Sequence, residues 1–212
     1  MAKKLKFILI SSFFSAILII MLAFNISAQD DIEKLINEGQ ICLDKGDKKG
    51  AFKFFKRAAA IAPDYPQVHF FLGKTYFLMQ NNDEAISEFN IYKWKVRPIA
   101  GSSQSAKEDY IKNLTSIGEI CFNLKMYGDF KDATSDILKL DPNNENANYN
   151  MGVYYYVAKY NRPMAYQYFS KVAELSPSSQ IAKKAKYAIE FMRNNPDPRM
   201  VPDFSFIDKE YR

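Results

Sequence analysis

Catalysis by side chains needs a nucleophile, an acid–base pair or a metal cage, and this sequence offers few candidates for any of them. His69 is its single histidine, so multi-histidine relays and His-rich metal sites are excluded by counting. No cysteine or carboxylate cluster stands near His69 at the spacing a metal requires, so neither a metal ligand nor a cofactor is expected. Cys42 and Cys121 are the two thiols. Nothing in the spacing gives them or any hydroxyl a general base. Asn113-Leu114-Thr115 matches a glycosylation acceptor, a pattern too short to carry weight. These residues predict no catalytic residue and a protein that is not an enzyme.

What remains is a body built to pack. The 212 residues are 48% hydrophobic and 25% charged, which leaves room for one sizeable core. The net charge of +5 is concentrated at the start: Lys3, Lys4 and Lys6 lie among the first 28 residues with no acid to offset them. Residues 29–212 hold 26 basic and 24 acidic side chains. A nucleic-acid partner needs a concentrated basic stripe, and none is expected here.

Residues 1–28 read as a leader: a basic start, an apolar stretch from Phe7 to Phe24, and Ser27-Ala28 before a polar, acidic run. Cleavage after Ala28 is the expected outcome. The apolar stretch is also near the ~17–25 residues that span a bilayer, so an uncleaved membrane anchor is the alternative. Both place the body on the same side, exported to a bacterial periplasm or envelope, with any membrane contact made only through the leader. Export would put both thiols in an oxidising space.

An internal period governs the rest. Gly39 and Gly73 are 34 residues apart, as are Ala51 and Ala85, Phe55 and Phe89, and Cys42 and Tyr76. Polar turns at Lys45–Lys48 and Asn81–Glu84 divide each period into two segments of helical periodicity. This pattern resembles the tetratricopeptide repeat. Its residues in the first copy are Leu35, Gly39, Cys42, Ala51, Phe55, Ala58 and Pro63, and in the second His69, Leu72, Gly73, Tyr76, Ala85 and Phe89. A third, degenerate copy keeps Leu114, Ile117, Gly118, Cys121 and Pro142, but its Tyr127-Gly128-Asp129 turn reads three residues late, predicting a long first and a short second helix. The fourth has Met151, Gly152, Tyr155, Ala165, Phe169, Val172 and Pro177.

The resemblance implies an all-α fold, a right-handed α-solenoid of about four helical hairpins with a C-terminal capping helix. The expected units are repeats at 31–64, 65–98, 110–142 and 143–177, an insertion at 99–109, a capping helix at 178–195 and an extended Pro-rich tail at 196–212. Ser105-Ala106-Lys107-Glu108 has the spacing of a capping box and marks the start of the helix after the insertion. The tail carries Met200, Val201, Phe204, Phe206 and Ile207, and is expected to strap back over the last helices. In a solenoid, Cys42 and Cys121 sit two repeats apart, beyond the ~7 Å reach of a disulfide. His69 stands at a packing position.

The same resemblance implies where a partner binds. The first helices of such repeats line a concave groove, and the inner positions here are Glu33, Ile36, Gln40 and Leu43; Gln67, Phe70, Lys74 and Phe77; Lys112, Thr115, Glu119 and Phe122; and Asn146, Tyr149, Val153 and Tyr156. Aromatic and amide groups of this kind suit a protein or peptide segment. At the places where members of that family clamp a terminal carboxylate, Lys74 stands alone beside Ile36, Gln40, Thr115 and Glu119, which disfavours such a clamp. The expected function is a non-catalytic scaffold of the cell envelope. The alternative is a structural subunit of a membrane-associated assembly, docked through its tail or convex face.

Overall fold

The computed structural model describes residues 29–197 and Met200. The leader and residues 201–212 lie outside the described residues. Two compact units divide the chain, one ending at Lys95 and one beginning at Val96. Among the described residues every regular element is helical. The first unit holds α1 (29–44), α2 (Lys48–Ile61), α3 (Pro66–Leu78) and nearly all of α4 (Asn82–Val96). The second holds α5 (Gln104–Asn123), α6 (Tyr127–Leu140), α7 (Glu145–Val157), α8 (Arg162–Leu175) and α9 (Gln180–Asn194).

Helix starts follow local chemistry. Asp47, Ser103, Asn144, Asn161 and Ser179 each accept a backbone N–H of the first turn, from Gly50, Ala106, Ala147, Met164 and Ala182. Pro66 and Pro163 occupy first-turn positions, where a missing N–H has no consequence. The cap of the helix after the insertion is thus Ser103, two residues before the expected Ser105. Ser103 wins because its extended backbone (φ −152°, ψ 163°) aims the hydroxyl at the open amide of Ala106.

The first helix of each hairpin ends the same way. Gly46, Gln80, Lys125 and Tyr160 adopt left-handed backbone, with φ of 77°, 66°, 59° and 51°. The residue after each donates its N–H to a carbonyl one helical turn back: Asp47 to Cys42 at 2.8 Å, Asn81 to Tyr76 at 2.9 Å, Met126 to Cys121 at 2.8 Å and Asn161 to Tyr155 at 2.8 Å. The four acceptors are the residues that the repeat alignment places in register. The third copy's turn is therefore Leu124–Met126 and is not late. Gly128 and Asp129, which read as a turn, lie in the first turn of α6. That helix has 14 residues, as do α2 and α8, so the expected short second helix is not found. α5 is long, at 20 residues against 13 for α3 and α7, because much of the inserted sequence is helical.

Hairpins close where a glycine meets a ring. A Cβ on Gly39, Gly73 or Gly152 would fall 2.5, 2.5 or 2.6 Å from Cε1 of Phe55, Phe89 or Phe169. Only a residue without a side chain admits that approach. The third hairpin departs through an exchange. Ala51 and Ala85 lie 12 residues after their glycines and Phe55 and Phe89 lie 16 after; in the third copy those offsets hold Phe130 and Thr134. The large and small residues have traded places. Both are buried, and a Cβ on Gly118 would stand an ordinary 3.7 Å from the Phe130 ring.

Buried polar groups tie the hairpins to their connections. His69 Nδ1 meets Glu88 Oε2 of α4 at 2.7 Å, and Nε2 donates to the Pro63 carbonyl at 2.8 Å. The hydrogen bond to Glu88 holds the imidazole pKa above its ordinary value, against the pull of burial. At the matching place in the fourth hairpin, Asn148 Nδ2 donates to the Pro142 carbonyl at 3.0 Å. His69 is thus a packing residue that also works as a polar clasp. In the second unit the carboxylate of Asp136, 4% exposed, accepts from Arg97 Nε at 3.1 Å and Nη2 at 2.5 Å and from Lys139 Nζ at 2.8 Å. Burial raises the Asp136 pKa, but these cations outweigh it and leave it below the ordinary value. Burial, and next the charge of Asp136, push the neighbouring Tyr110 hydroxyl up to about 12.

The end of α9 is fastened to α8. Arg162 donates to the carbonyls of Met192 at 2.5 Å, Asn195 at 2.5 Å and Pro196 at 2.7 Å. Free carbonyls at a helix C-terminus attract a cation. Beyond them, the Tyr156 hydroxyl of α7 donates to the Met200 carbonyl. The carbonyls of Pro196 and Met200 are thus held by the helices; the strap expected of the tail falls on residues that lie outside the described ones.

Candidate functional site

The inner positions do not all reach solvent. In the first unit Ile36 and Phe70 are core. Phe70 packs against Phe71, Phe89 and Tyr92 with ring centroids 5.3, 6.2 and 5.4 Å away, and Lys74 Nζ lies over its face at 5.7 Å. Glu33 is exposed, while Gln40, Leu43, Gln67, Lys74 and Phe77 are half-buried. In the second unit Lys112, Glu119 and Asn146 are exposed, and Thr115, Phe122, Tyr149 and Val153 are half-buried. Tyr156, 2% exposed, is buried beside the tail. Phe70 and Tyr156 are thus not available to a partner as the structure stands. Periodicity could not foresee this, because their neighbours Tyr92 and Met200 come from other parts of the chain.

Four of these residues converge. Glu119 and Phe122 of α5, Tyr149 and Val153 of α7, and two residues the repeat positions did not single out, Phe130 and Asn150, line a recess of about 180 Å³. Phe130 is there because of the exchange described above. Its ring lies 5.1 Å from that of Phe122, which in turn lies 5.9 Å from Tyr127. Tyr149 rests on Phe169 at 5.4 Å, so the opposite wall has a buried support. The sequence signal for Phe130 was present: a phenylalanine where the other copies have alanine. Asn150 follows Tyr149 and brings an amide able to donate and accept.

The chemistry this arrangement supports is recognition. Three aromatic rings present apolar walls, Asn150 and exposed Asn146 offer amides, and Glu119 sets a negative charge at the rim. His69 keeps both ring nitrogens in the bonds that clasp its hairpin, which leaves neither for proton transfer to a substrate. Cys42 and Cys121 are not joined to each other; Cys121 is buried and Cys42 half-buried. Among the described residues no group of three His, Cys, Asp or Glu could hold a metal ion. No helix among them is long and apolar enough to cross a membrane.

The hairpins share a left-handed turn, three of them set a glycine against a ring, and residues 43–92 match the tetratricopeptide repeat family model. That segment carries the tetratricopeptide repeat. Solved structures extend the likeness over most of the chain. A crystal structure of MamA matches with a TM-score of 0.62 and 18% identity, covering 81% of this chain and 85% of that one. A tetratricopeptide repeat protein from Parabacteroides merdae matches with a TM-score of 0.62 and 21% identity over 80% of this chain and 63% of that one. PilF of Pseudomonas aeruginosa matches with a TM-score of 0.59 and 16% identity over 82% and 73%. At these identities the likeness is one of fold. No curated protein matches the chain. Tetratricopeptide repeats are interaction modules, and residues 43–92 match that repeat.

Proposed function

We propose that this tetratricopeptide-repeat protein is a non-catalytic scaffold of the bacterial cell envelope that holds a peptide segment of a partner protein across α5, α6 and α7. One aromatic or branched side chain of that segment enters the recess. The observation that carries this reading is the recess itself: rings from three helices around about 180 Å³, beside a surface of amides. A dry cavity of ~150 Å³ takes a benzene-sized guest, so this one suits a single ring. Burying such a ring stabilises a complex by ~1.5–3 kcal/mol, or ~10- to 100-fold in affinity. The Asn146 and Asn150 amides suit the backbone of an extended segment, and Glu119 favours a basic residue beside the anchor. The leader pattern of residues 1–28 supports the envelope as the place of action.

Selection of displayed random peptides on the full chain tests the binding. The selected peptides are expected to share one apolar anchor and to lose at least ~10-fold in affinity to Phe122→Ala. Glu119→Lys, at an exposed position, should shift the charge preference without touching the fold. Equal binding to wild type and both variants would overturn the reading. Export is tested by a phosphatase reporter fused to the C-terminus: activity that persists after deletion of residues 1–28 would refute it.

A further inference from the structure

The tail leaves α9 under close control. Arg162 gathers the last carbonyls of the helix and that of Pro196, and Tyr156 takes the Met200 carbonyl. Tyr156 is the next inner residue of α7 after Tyr149 and Val153, which wall the recess. At 1.5 Å per residue, Val153 lies ~4.5 Å and Tyr149 ~10.5 Å along the helix from Tyr156. Twelve residues follow Met200: Val-Pro-Asp-Phe-Ser-Phe-Ile-Asp-Lys-Glu-Tyr-Arg. An extended chain covers ~3.3–3.6 Å per residue, so Phe204 can reach ~13 Å and Phe206 ~20 Å from Met200. Pro202 disfavours a helix just before them. In an extended segment Phe204 and Phe206 lie on one face, since side chains alternate.

We infer that the recess between α5, α6 and α7 is the docking site of the chain's own C-terminal segment, with Phe204 or Phe206 as the ring that enters it. The inference rests on the recess being a peptide site. It adds that the site is self-occupied and that a partner segment displaces the tail, so the tail sets the threshold for binding. Three features favour this occupant: its point of departure beside the recess wall, a length that spans the distance, and two rings spaced for one face. A short tether supplies an effective concentration in the millimolar range. A segment that binds with a dissociation constant of ~0.1 mM in trans would then occupy its own site ~10:1 and weaken a competitor ~10-fold.

The test compares the full chain with the full chain carrying Phe204→Ser and Phe206→Ser. Random peptides are selected on the variant, and the Val153 methyl groups are followed by NMR. The selected peptides are expected to bind the variant ~10-fold more tightly than wild type. A synthetic peptide of residues 200–212, added to the variant, should return the Val153 resonances to their wild-type positions. Equal affinities, or Val153 resonances identical in the two chains, would overturn the inference while leaving the recess as a partner site. Failure to select any peptide whose binding depends on Phe122 would overturn both readings.

Discussion

Gly118 and Gly152 provide a comparison inside one compact unit. Each lies on the first helix of its hairpin, and replacing either with alanine adds one methyl group and improves helix propensity by ~1 kcal/mol. At Gly118 the new Cβ stands 3.7 Å from the Phe130 ring, so the propensity gain should appear as increased stability of ~0.5–1 kcal/mol. At Gly152 it stands 2.6 Å from Cε1 and 2.7 Å from Cδ1 of Phe169. Carbons in contact prefer ~3.5–4.0 Å, so the ring must retreat by about 1 Å. Phe169 is 1% exposed and backed by Tyr149, which leaves the ring little room to retreat. Overpacking of this kind costs ~1–3 kcal/mol. The propensity term is common to both variants and cancels, so Gly152→Ala should unfold ~1–3 kcal/mol more easily than Gly118→Ala. Urea unfolding followed by helical circular dichroism measures the difference, with an unchanged slope confirming that only the native state has moved. Phe169→Leu in the Gly152→Ala background should recover part of the loss. If both single variants shift the midpoint equally, the glycine–ring contact does not close the hairpin.

Further expectations follow from the polar clasps and turns. The His69 pKa is raised in the native state, so its contribution is full below the ordinary value of 6.5 and disappears as pH rises through the higher folded value. Wild-type stability should therefore fall across that window relative to Glu88→Gln, and parallel pH profiles for the two would refute the clasp. Tyr160 and Lys125 are exposed residues in left-handed backbone, a conformation that costs ~1–2 kcal/mol without glycine. Tyr160→Gly and Lys125→Gly should each raise stability by ~0.5–1 kcal/mol in thermal unfolding; destabilisation by either would contradict the turn geometry. Arg97→Ala removes a charge-assisted partner from the buried Asp136 and should cost ~1–3 kcal/mol, with Asp136→Asn partly restoring the Arg97→Ala protein.

Much of the fold was legible because repeats multiply a weak signal. One glycine in a helical pattern means little, but Gly39 and Gly73 with phenylalanines at a fixed offset report a contact. The errors arose where composition competed with position. Gly128 and Asp129 look like a turn, yet the turn three residues earlier uses Lys125 in a backbone state that residue rarely adopts. The hydrogen bond to Cys121 and the packing of α5 on α6 impose it. Ser105 has the spacing of a cap, but the cap is the residue that the incoming chain orients, Ser103. Of the candidate site, Glu119, Phe122, Tyr149 and Val153 were named by the resemblance, which assigns the inner positions of each repeat. That they converge was not readable, because convergence depends on Phe130, and the third copy's exchange read as a loss of pattern. Phe70 failed for the opposite reason: its register is right, but Tyr92 and Lys74 cover it.

The transposition of one large and one small side chain within the third hairpin has an engineering corollary. It keeps one large and one small residue at the two offsets, leaves α6 at the 14 residues of α2 and α8, and sets the Phe130 ring in the lining of the recess. On the proposed function, specificity is thereby separable from foldability: a different unit could be given its own recess by placing phenylalanine at the first offset and a small residue at the second.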